Sequence, residues 1–413
     1  MTQLLASRLD SVKPSPSMAA KMRVDSLRAS GCRITDFTIG EPDFATPPHI
    51  VKAGIDALTS GQTKYTGSAG IAPLRRAIAE KLMLENGLTY SPEQVLVGSG
   101  AKHIIYNALA ATLNDGDEVI VPAPYWVSYP DMVALHGGRP VIVPCDAKAG
   151  FKLSAQDLER AITPRTRWLV LNSPNNPTGA VYCETELRAL AEVLLRHPHV
   201  WLMTDEIYEH FVYGDSRHIS LVTLAPELQA RTLIVNGMSK AYAMTGWRIG
   251  YGAGPQPLIK AMTLLQTQSV SCAASMSQVA AVTALEGPQD CVAEAVVTFQ
   301  ARRDRMVDLL NRIPGIRCAR PDGAFYVFPS VAGLIGATTL SGKTLANDLD
   351  VTMYFLEEAG VATIDGGSYG MPSHLRMSFA TSIEQIDIGC AALAKAVAAL
   401  GLLSTSIEET NHA

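Results

Sequence analysis

The sequence predicts an α/β fold: a mostly parallel sheet covered on both faces by helices, with a smaller α/β domain beside it. Three observations carry this. From about residue 47, helix-period and strand-like segments alternate, the pattern of βαβ units. The strand-like segments are short and rich in Val, Ile and Leu, as strands buried on both faces are. After Pro314-Gly315 the strands shorten and the composition changes, and 413 residues exceed what one small core organises.

Taken in order, residues 1–17 read as an extended arm, because Pro14 and Pro16 disfavour a helix there. A helix is expected over 18–30, ending at Gly31. A strand over 34–39 then runs into the turn Gly40-Glu-Pro-Asp-Phe44. Helices are expected at 49–59, 73–86, 101–113, 126–137, 154–162 and 184–196. Strands are expected at 94–98, 118–122, 140–144, 167–171, 200–204, 231–236 and 248–252. Helices 257–267, 274–286 and 289–313 follow. Strands 316–319, 324–328, 361–364 and 374–379, with helices 343–359 and 383–400, make the second unit. The expected division is 47–299 for the large domain, and 1–46 with 300–413 for the small one. The polar tail after 403 is expected to fray.

Composition excludes several function classes. A net charge of −5 leaves no electrostatic footprint for nucleic acid or a membrane surface. No apolar run reaches membrane-spanning length. The seven cysteines are scattered with no C-x-x-C pair, so neither a disulfide framework nor a structural metal is expected. The N-terminus lacks the apolar core of a signal peptide, and a cytoplasmic location is expected.

The chemistry centres on Asn236 to Tyr251. Lys240 follows a buried strand and sits among small residues. Desolvation lowers an ammonium pKa, and a neutral amine can form a Schiff base. Ser239 and Arg248 can hold a phosphate beside it, Arg by its fork. The combination suggests pyridoxal 5′-phosphate. A lone lysine would more simply be a surface residue, so the weight comes from other segments. Gly98-Ser-Gly-Ala-Lys102 joins a strand to a helix N-terminus, which suits an anion, although a tight turn uses the same residues. Pro122-Ala-Pro-Tyr-Trp126 supplies an aromatic ring able to stack on a pyridine. Asn172-Ser-Pro-Asn-Asn-Pro-Thr-Gly179 is a rigid polar loop at a strand end, with a cis peptide possible before Pro177. Asp205 ends a strand, where a carboxylate can pair with a protonated pyridine nitrogen or cap a helix; Tyr208 follows it. Arg376 lies in an apolar strand and needs a partner, either a substrate carboxylate or a structural acid. Ser15, Ser17 and Gly40 can line a cleft, although by themselves they read more simply as turn chemistry, and Tyr65 sits in a loop, where packing is its ordinary role.

Together these motifs resemble the fold type I pyridoxal-phosphate enzymes and specifically the class I aminotransferases. They are most similar to the bacterial aspartate aminotransferases of the I-gamma branch. The resemblance runs from Val12-Lys-Pro-Ser15 and Gly40-Glu-Pro-Asp-Phe44 through Pro124-Tyr-Trp-Val-Ser-Tyr-Pro130 and Ser173-Pro-Asn-Asn-Pro-Thr-Gly179. It continues through Asp205-Glu-Ile-Tyr-Glu209, Ser239 to Tyr251, Gly323-Ala-Phe-Tyr326 and Arg376-Met-Ser-Phe-Ala-Thr381.

The resemblance implies a seven-stranded large-domain sheet and a set of roles. Lys240 carries the cofactor as a Schiff base and moves the substrate proton. Asp205 pairs with the pyridine nitrogen, and Tyr208 and Asn176 reach the phenolate oxygen. Gly100, Ala101, Lys102, Ser239 and Arg248 surround the phosphate, and Trp126 stacks on the ring. Arg376, Asn176, Gly40 and Trp126 take the amino acid substrate. Lys102, Ser15 and Ser17 take its distal carboxylate. Tyr65 reaches the site of the other subunit of a homodimer. The reaction implied moves the amino group of L-aspartate, or a related amino acid, to 2-oxoglutarate by a ping-pong route.

The chain departs from the pattern in places. Ser17 stands where the branch commonly has Thr, and Gly237 where related enzymes have another phosphate-binding serine. Ser11 stands where members that accept prephenate often have Arg, which speaks against prephenate. The segment 266–278 has no arginine for a distal carboxylate. The alternatives are an aromatic or broad-range aminotransferase, including the aspartate/prephenate type, on the same fold. A β- or γ-eliminating enzyme would use the same Lys240 and Asp205. A cofactor-sensing regulator would need an added DNA-binding segment, for which the chain leaves no room.

Overall fold

The computed structural model describes residues 5–12 and 16–400. Twelve strands occur in chain order among them: β1 (Thr35–Asp36), β2 (Val95–Gly98), β3 (Glu118–Ala123), β4 (Arg139–Pro144), β5 (Thr166–Asn172), β6 (Trp201–Asp205), β7 (Thr232–Gly237), β8 (Gly250–Ala253), β9 (Tyr326–Val327), β10 (Val361–Ala362), β11 (Ile364–Asp365) and β12 (Leu375–Ser378). Seven form one sheet in the order β2-β8-β7-β6-β5-β3-β4. Only β8 runs against the others, so the expected mostly parallel sheet is present.

Alternate residues of each strand enter different cores, as a period of two requires. Leu96, Val119, Val121, Trp168, Val170, Met203, Leu233 and Val235 pack on one face, beneath helices Ala101–Thr112, Ser128–Leu135 and Gln256–Ser269. Val95, Val97 and Ile234 face the opposite side, beneath Ala72–Asn86 and Ser275–Glu286. Ile120, Leu169, Leu171 and Leu202 share that side with helix Glu184–Arg196. Each such side chain contributes roughly 1.5–3 kcal/mol on burial, which explains why the inner strands are apolar, whereas the edge strand β4 keeps Arg139 and other exposed positions. A further core joins the C-terminal segments to Phe37, Tyr208, Phe211 and Phe299. Its strands pair as β11-β12-β9, antiparallel, with β1 parallel to β10.

Several expected boundaries change. The N-terminal arm contains a 3₁₀ turn, Ser7–Ser11, and the helix expected from 18 starts at Pro16 and ends at Ala29. Proline suits a first helical turn because its missing N–H is not needed there. The 34–39 strand shrinks to β1. The strand expected over 316–319 does not form; Arg317 makes one bridge to Ser330. The reason is local. The Asn311 side chain accepts from Cys318 N at 2.8 Å and donates to its carbonyl at 2.9 Å, leaving no ladder to make. The 343–359 helix begins only at Asp348, where the Asn347 side chain caps the Asp350 N–H. The strand expected from 248 begins at Gly250, because Arg248 has φ 56, a left-handed value no strand accommodates. The 126–137 helix starts at Ser128, leaving Trp126 in the turn before it. The tail after 403 lies outside the described residues.

Beneath the sheet's carboxyl edge lies a buried ion pair. Lys81 and Glu209 are each about 5% exposed at the side chain and hydrogen-bonded to one another. Glu209 also accepts from Asn86 Nδ2 at 2.7 Å and Asn236 Nδ2 at 2.5 Å. Burial opposes its charge, yet Lys81, His210 and His218 hold the carboxyl below the usual range. Lys81→Met, which strands this carboxylate, is expected to destabilise the fold by roughly 3–5 kcal/mol in urea unfolding. The folded pKa of Glu209 is depressed, so its contribution is complete above the unfolded value of about 4.3 and is lost as pH falls through the folded value. A loss under 1 kcal/mol, on the order of a surface pair, would show that Glu209 does not depend on Lys81.

Candidate active site

Chain segments leaving the sheet's carboxyl edge converge on one cavity of about 400 Å³, where ligands of open α/β sheets bind. β2 delivers the turn into helix Ala101–Thr112. β3 delivers Trp126, β5 the loop with Asn172 and Asn176, β6 Asp205 and β7 Lys240. β8 starts at the same edge, just after Arg248.

Gly100 caps the Ala101–Thr112 helix with φ 91, a value that favours glycine. A Cβ there would lie 2.3 Å from the Arg248 guanidinium, so glycine also makes room for that side chain. Arg248 donates to the carbonyls of Thr245 (2.9 Å) and Ser99 (3.3 Å). Ala101, Lys102, Ser239 and Arg248 line one end of the cavity. Helix N-terminus, hydroxyl and guanidinium together suit a phosphate. Lys102 Nζ lies 4.7 Å from the Trp126 ring centroid; burial and the nearby Arg248 charge lower its pKa.

Asp205 is buried, and no helix begins there. Its Oδ2 accepts from Tyr129 OH at 2.6 Å, and its Oδ1 from the Ile207 N–H at 3.3 Å. Burial raises its pKa from 3.8 to about 6, against the pull of those two hydrogen bonds. Lys240 Nζ donates to the Gly40 carbonyl at 2.5 Å. Burial lowers its pKa from 10.5 to about 8; Glu41 and Asp205 oppose this, and Arg376 and Arg248 add to it. A buried carboxyl and a half-buried amine with pKa values moved toward neutrality mark a reacting site.

Tyr208 OH shares a hydrogen bond with Tyr326 OH at 2.9 Å, and burial pushes the Tyr208 phenol up. Arg376 donates to Asn176 Oδ1 at 3.2 Å and to the Thr38 carbonyl at 2.7 Å. Its guanidinium stacks 4.6 Å from the Tyr326 centroid, while its Nε is buried without a hydrogen bond among the described residues. Asn176 precedes a cis proline, as Ser173 and Ala123 do.

The cavity therefore gathers Gly40, Ala101, Lys102, Trp126, Asn176, Asp205, Tyr208, Ser239, Lys240, Arg248 and Arg376, with Gly100 packed directly behind Arg248. Tyr65 is not brought in: it is 88% exposed. Ser15 lies outside the described residues, and Ser17 falls within the helix Pro16–Ala29. Sequence reasoning passed over Glu41, Tyr129, Asn172 and Thr245, which also line the site. A signal existed for Tyr129, three residues after Trp126 at a helix start, and for Glu41 in the Gly-Glu-Pro turn.

Four cations (Lys102, Lys240, Arg248, Arg376) face two carboxylates (Glu41, Asp205) across this cavity. The surplus of positive charge calls for anionic occupants. A phosphorylated pyridine aldehyde fits this donor set: anion sites at one end, an acid for the ring nitrogen, an aromatic wall and an amine able to lose its proton.

Comparison with known proteins agrees. Residues 33–393 match the family model for aminotransferase class I and II. A probable aspartate/prephenate aminotransferase of Rhizobium leguminosarum bv. phaseoli is 52% identical over 386 residues, 94% of this chain and 96% of its own. The crystal structure of the aspartate aminotransferase from Rhizobium meliloti superposes with a TM-score of 0.94 at 48% identity, covering 96% of this chain and all of that one. The Thermus thermophilus aspartate aminotransferase with maleate gives 0.89 at 40% identity, with the same coverage. A chain matched over nearly its whole length, in sequence and in fold, belongs to the class I and II aminotransferases, enzymes that exchange amino groups between amino acids and 2-oxo acids with pyridoxal 5′-phosphate as cofactor.

Proposed function

We propose that this aminotransferase takes the amino group of L-aspartate and passes it to 2-oxoglutarate in two half-reactions. The observation that carries the reading is Lys102. Beside Lys240, the phosphate-end Arg248 and the carboxylate-seeking Arg376 it is a fourth cation in the cavity, and it lies against Trp126. A monocarboxylic substrate gives it nothing to bind, whereas aspartate supplies a second carboxylate. The relatives named for aspartate support this choice, and the prephenate in several of their names keeps the aspartate/prephenate type as the second reading.

In this reading Arg376, steadied by Asn176 and the Thr38 carbonyl, holds the α-carboxylate with its fork. Gly100, Ala101 and the backbone of Lys102, with Ser239 and Arg248, hold the phosphate, Trp126 covers the ring, and Tyr208 with Asn176 orients the ring oxygen. Bound pyridoxal phosphate supplies an electron sink for the charge left at the substrate Cα. Lys240, once free as an amine, removes the Cα proton as general base and returns it one atom along. Asp205 keeps the pyridine nitrogen protonated.

The architecture reads as a large domain, 47–299, and a small one, 1–46 with 300–413, closing over substrate to exclude water. Tyr65, exposed here, would serve the neighbouring site of a homodimer, with Ser15 and Ser17 beside the distal carboxylate. We place the enzyme in the cytoplasm.

The test is single-turnover spectroscopy of the pyridoxal form with L-aspartate and with L-phenylalanine. Aspartate should react faster. Lys102→Met should slow aspartate by about 10- to 150-fold, the worth of a hydrogen bond to a charged group, and leave phenylalanine near its original rate. Faster reaction with phenylalanine in the unaltered enzyme would reassign it to aromatic substrates.

A further inference from the structure

We propose that Tyr129 is a positioning residue for the reaction: its phenol orients the Asp205 carboxylate and keeps it ionised, while its ring fixes Trp126. This rests on the reading of Asp205 as the partner of the pyridine nitrogen.

Tyr129 is 2% exposed and sits in the first turn of helix Ser128–Leu135. Its hydroxyl donates to Asp205 Oδ2 at 2.6 Å, and its backbone N–H donates to the Trp126 carbonyl at 3.0 Å. Its ring meets the Trp126 indole edge to face, with centroids 5.2 Å apart and planes at 85°, a favoured aromatic geometry. One side chain thus touches both the acid at the end of the expected cofactor ring and the aromatic wall over its face.

The need for such a group follows from the surroundings of Asp205. A carboxyl this deeply buried is driven toward its neutral form, and Glu206, the next residue, adds like charge. Against these stand Lys240, the Ile207 N–H and the Tyr129 hydroxyl. Asn172 Nδ2 binds the Asp205 backbone carbonyl, not its carboxylate. The Ile207 contact, at 3.3 Å, is the longer of the two hydrogen bonds. Without the phenol, Oδ2 loses its hydrogen-bond donor and the carboxylate is free to turn. A neutral or turned acid cannot keep the ring nitrogen protonated.

The test is a double-mutant cycle on the cofactor-loaded enzyme, with Tyr129→Phe, Asp205→Asn and the pair. The rate of aspartate-driven conversion is measured per bound cofactor. Tyr129→Phe keeps the ring against Trp126 and removes only the hydroxyl. It should slow conversion by about 10- to 100-fold, as loss of a hydrogen bond to a charged group does. The acidic limb of its pH profile should move to higher pH, with KM nearly unchanged. In the Asp205→Asn background the same substitution should cost less than about twofold, because coupled residues are non-additive. Factors that multiply across the cycle would mean that Tyr129 acts through general packing, and would overturn the proposal. A slow Asp205→Asn beside a Tyr129→Phe of unaltered rate and pH profile would also overturn it, leaving the role of Asp205 intact. An Asp205→Asn with full activity would instead remove the reading of Asp205 beneath it.

Discussion

Lys240→Ala is expected to lower turnover on the order of 10⁴-fold or more, at or beyond the upper range for a positioned general base. It is also expected to abolish the pH-sensitive visible absorbance of lysine-bound cofactor. The size follows from one atom holding two duties. Nζ is the attachment point for the aldehyde, and it is the base that moves the Cα proton. Among the described residues no other lysine shares its position: Lys102, the other one lining the cavity, lies against Trp126. The pKa near 8 adds a second readout. Covalent capture of pyridoxal phosphate by cofactor-free protein should rise with pH through about 8, where an ordinary lysine near 10.4 would require more alkaline solution. Full turnover with the absorbance retained in Lys240→Ala would end the assignment.

Asp205→Asn is expected to slow Cα proton loss by about 10²- to 10³-fold, the scale for removing one preorganised electrostatic partner, while cofactor content changes far less. The phosphate, ring-wall and Lys240 contacts are separate from this carboxylate, so binding persists where rate does not. Stability should move the other way. The folded carboxyl titrates near 6 against 3.8 unfolded, so the native state is the better proton acceptor. Above pH 6 the cofactor-free protein carries a penalty of about 3 kcal/mol, at roughly 1.4 kcal/mol per pH unit. The penalty fades as pH falls through 6 and is gone below 3.8. Asparagine has no charge to bury, so cofactor-free Asp205→Asn should melt higher than the parent at pH 8 and equal it at pH 3.5. An unchanged proton-transfer rate would mean the ring nitrogen has another partner.

These two residues were legible in the sequence for a physical reason. Asp205 ends a buried strand and Lys240 follows one, and such strands announce themselves by apolar runs. A lysine or an acid at the end of one is conspicuous against that background. The same signal placed all seven large-sheet strands within a few residues, because burial on both faces constrains nearly every position of the inner strands. It failed where pairing is short or replaced by a side chain, as at 316–319, where Asn311 satisfies the Cys318 backbone. It failed again at Arg248, whose left-handed backbone leaves no mark in composition.

By itself the sequence determined the order of helices and strands, the apolar faces that build the sheet, and the chemical types available at each strand end. Folding alone decided which of those groups meet. Arg376 reaches Asn176 across 200 positions, Lys240 reaches Gly40 across 200, and Tyr129 reaches Asp205 across 76. Contacts between distant positions follow no helical or strand period, and the pKa values near 8 and 6 arise from desolvation in the finished cavity. Local pattern reports what each segment must bury; only the packed chain sets the distances and the dielectric in which its charges act.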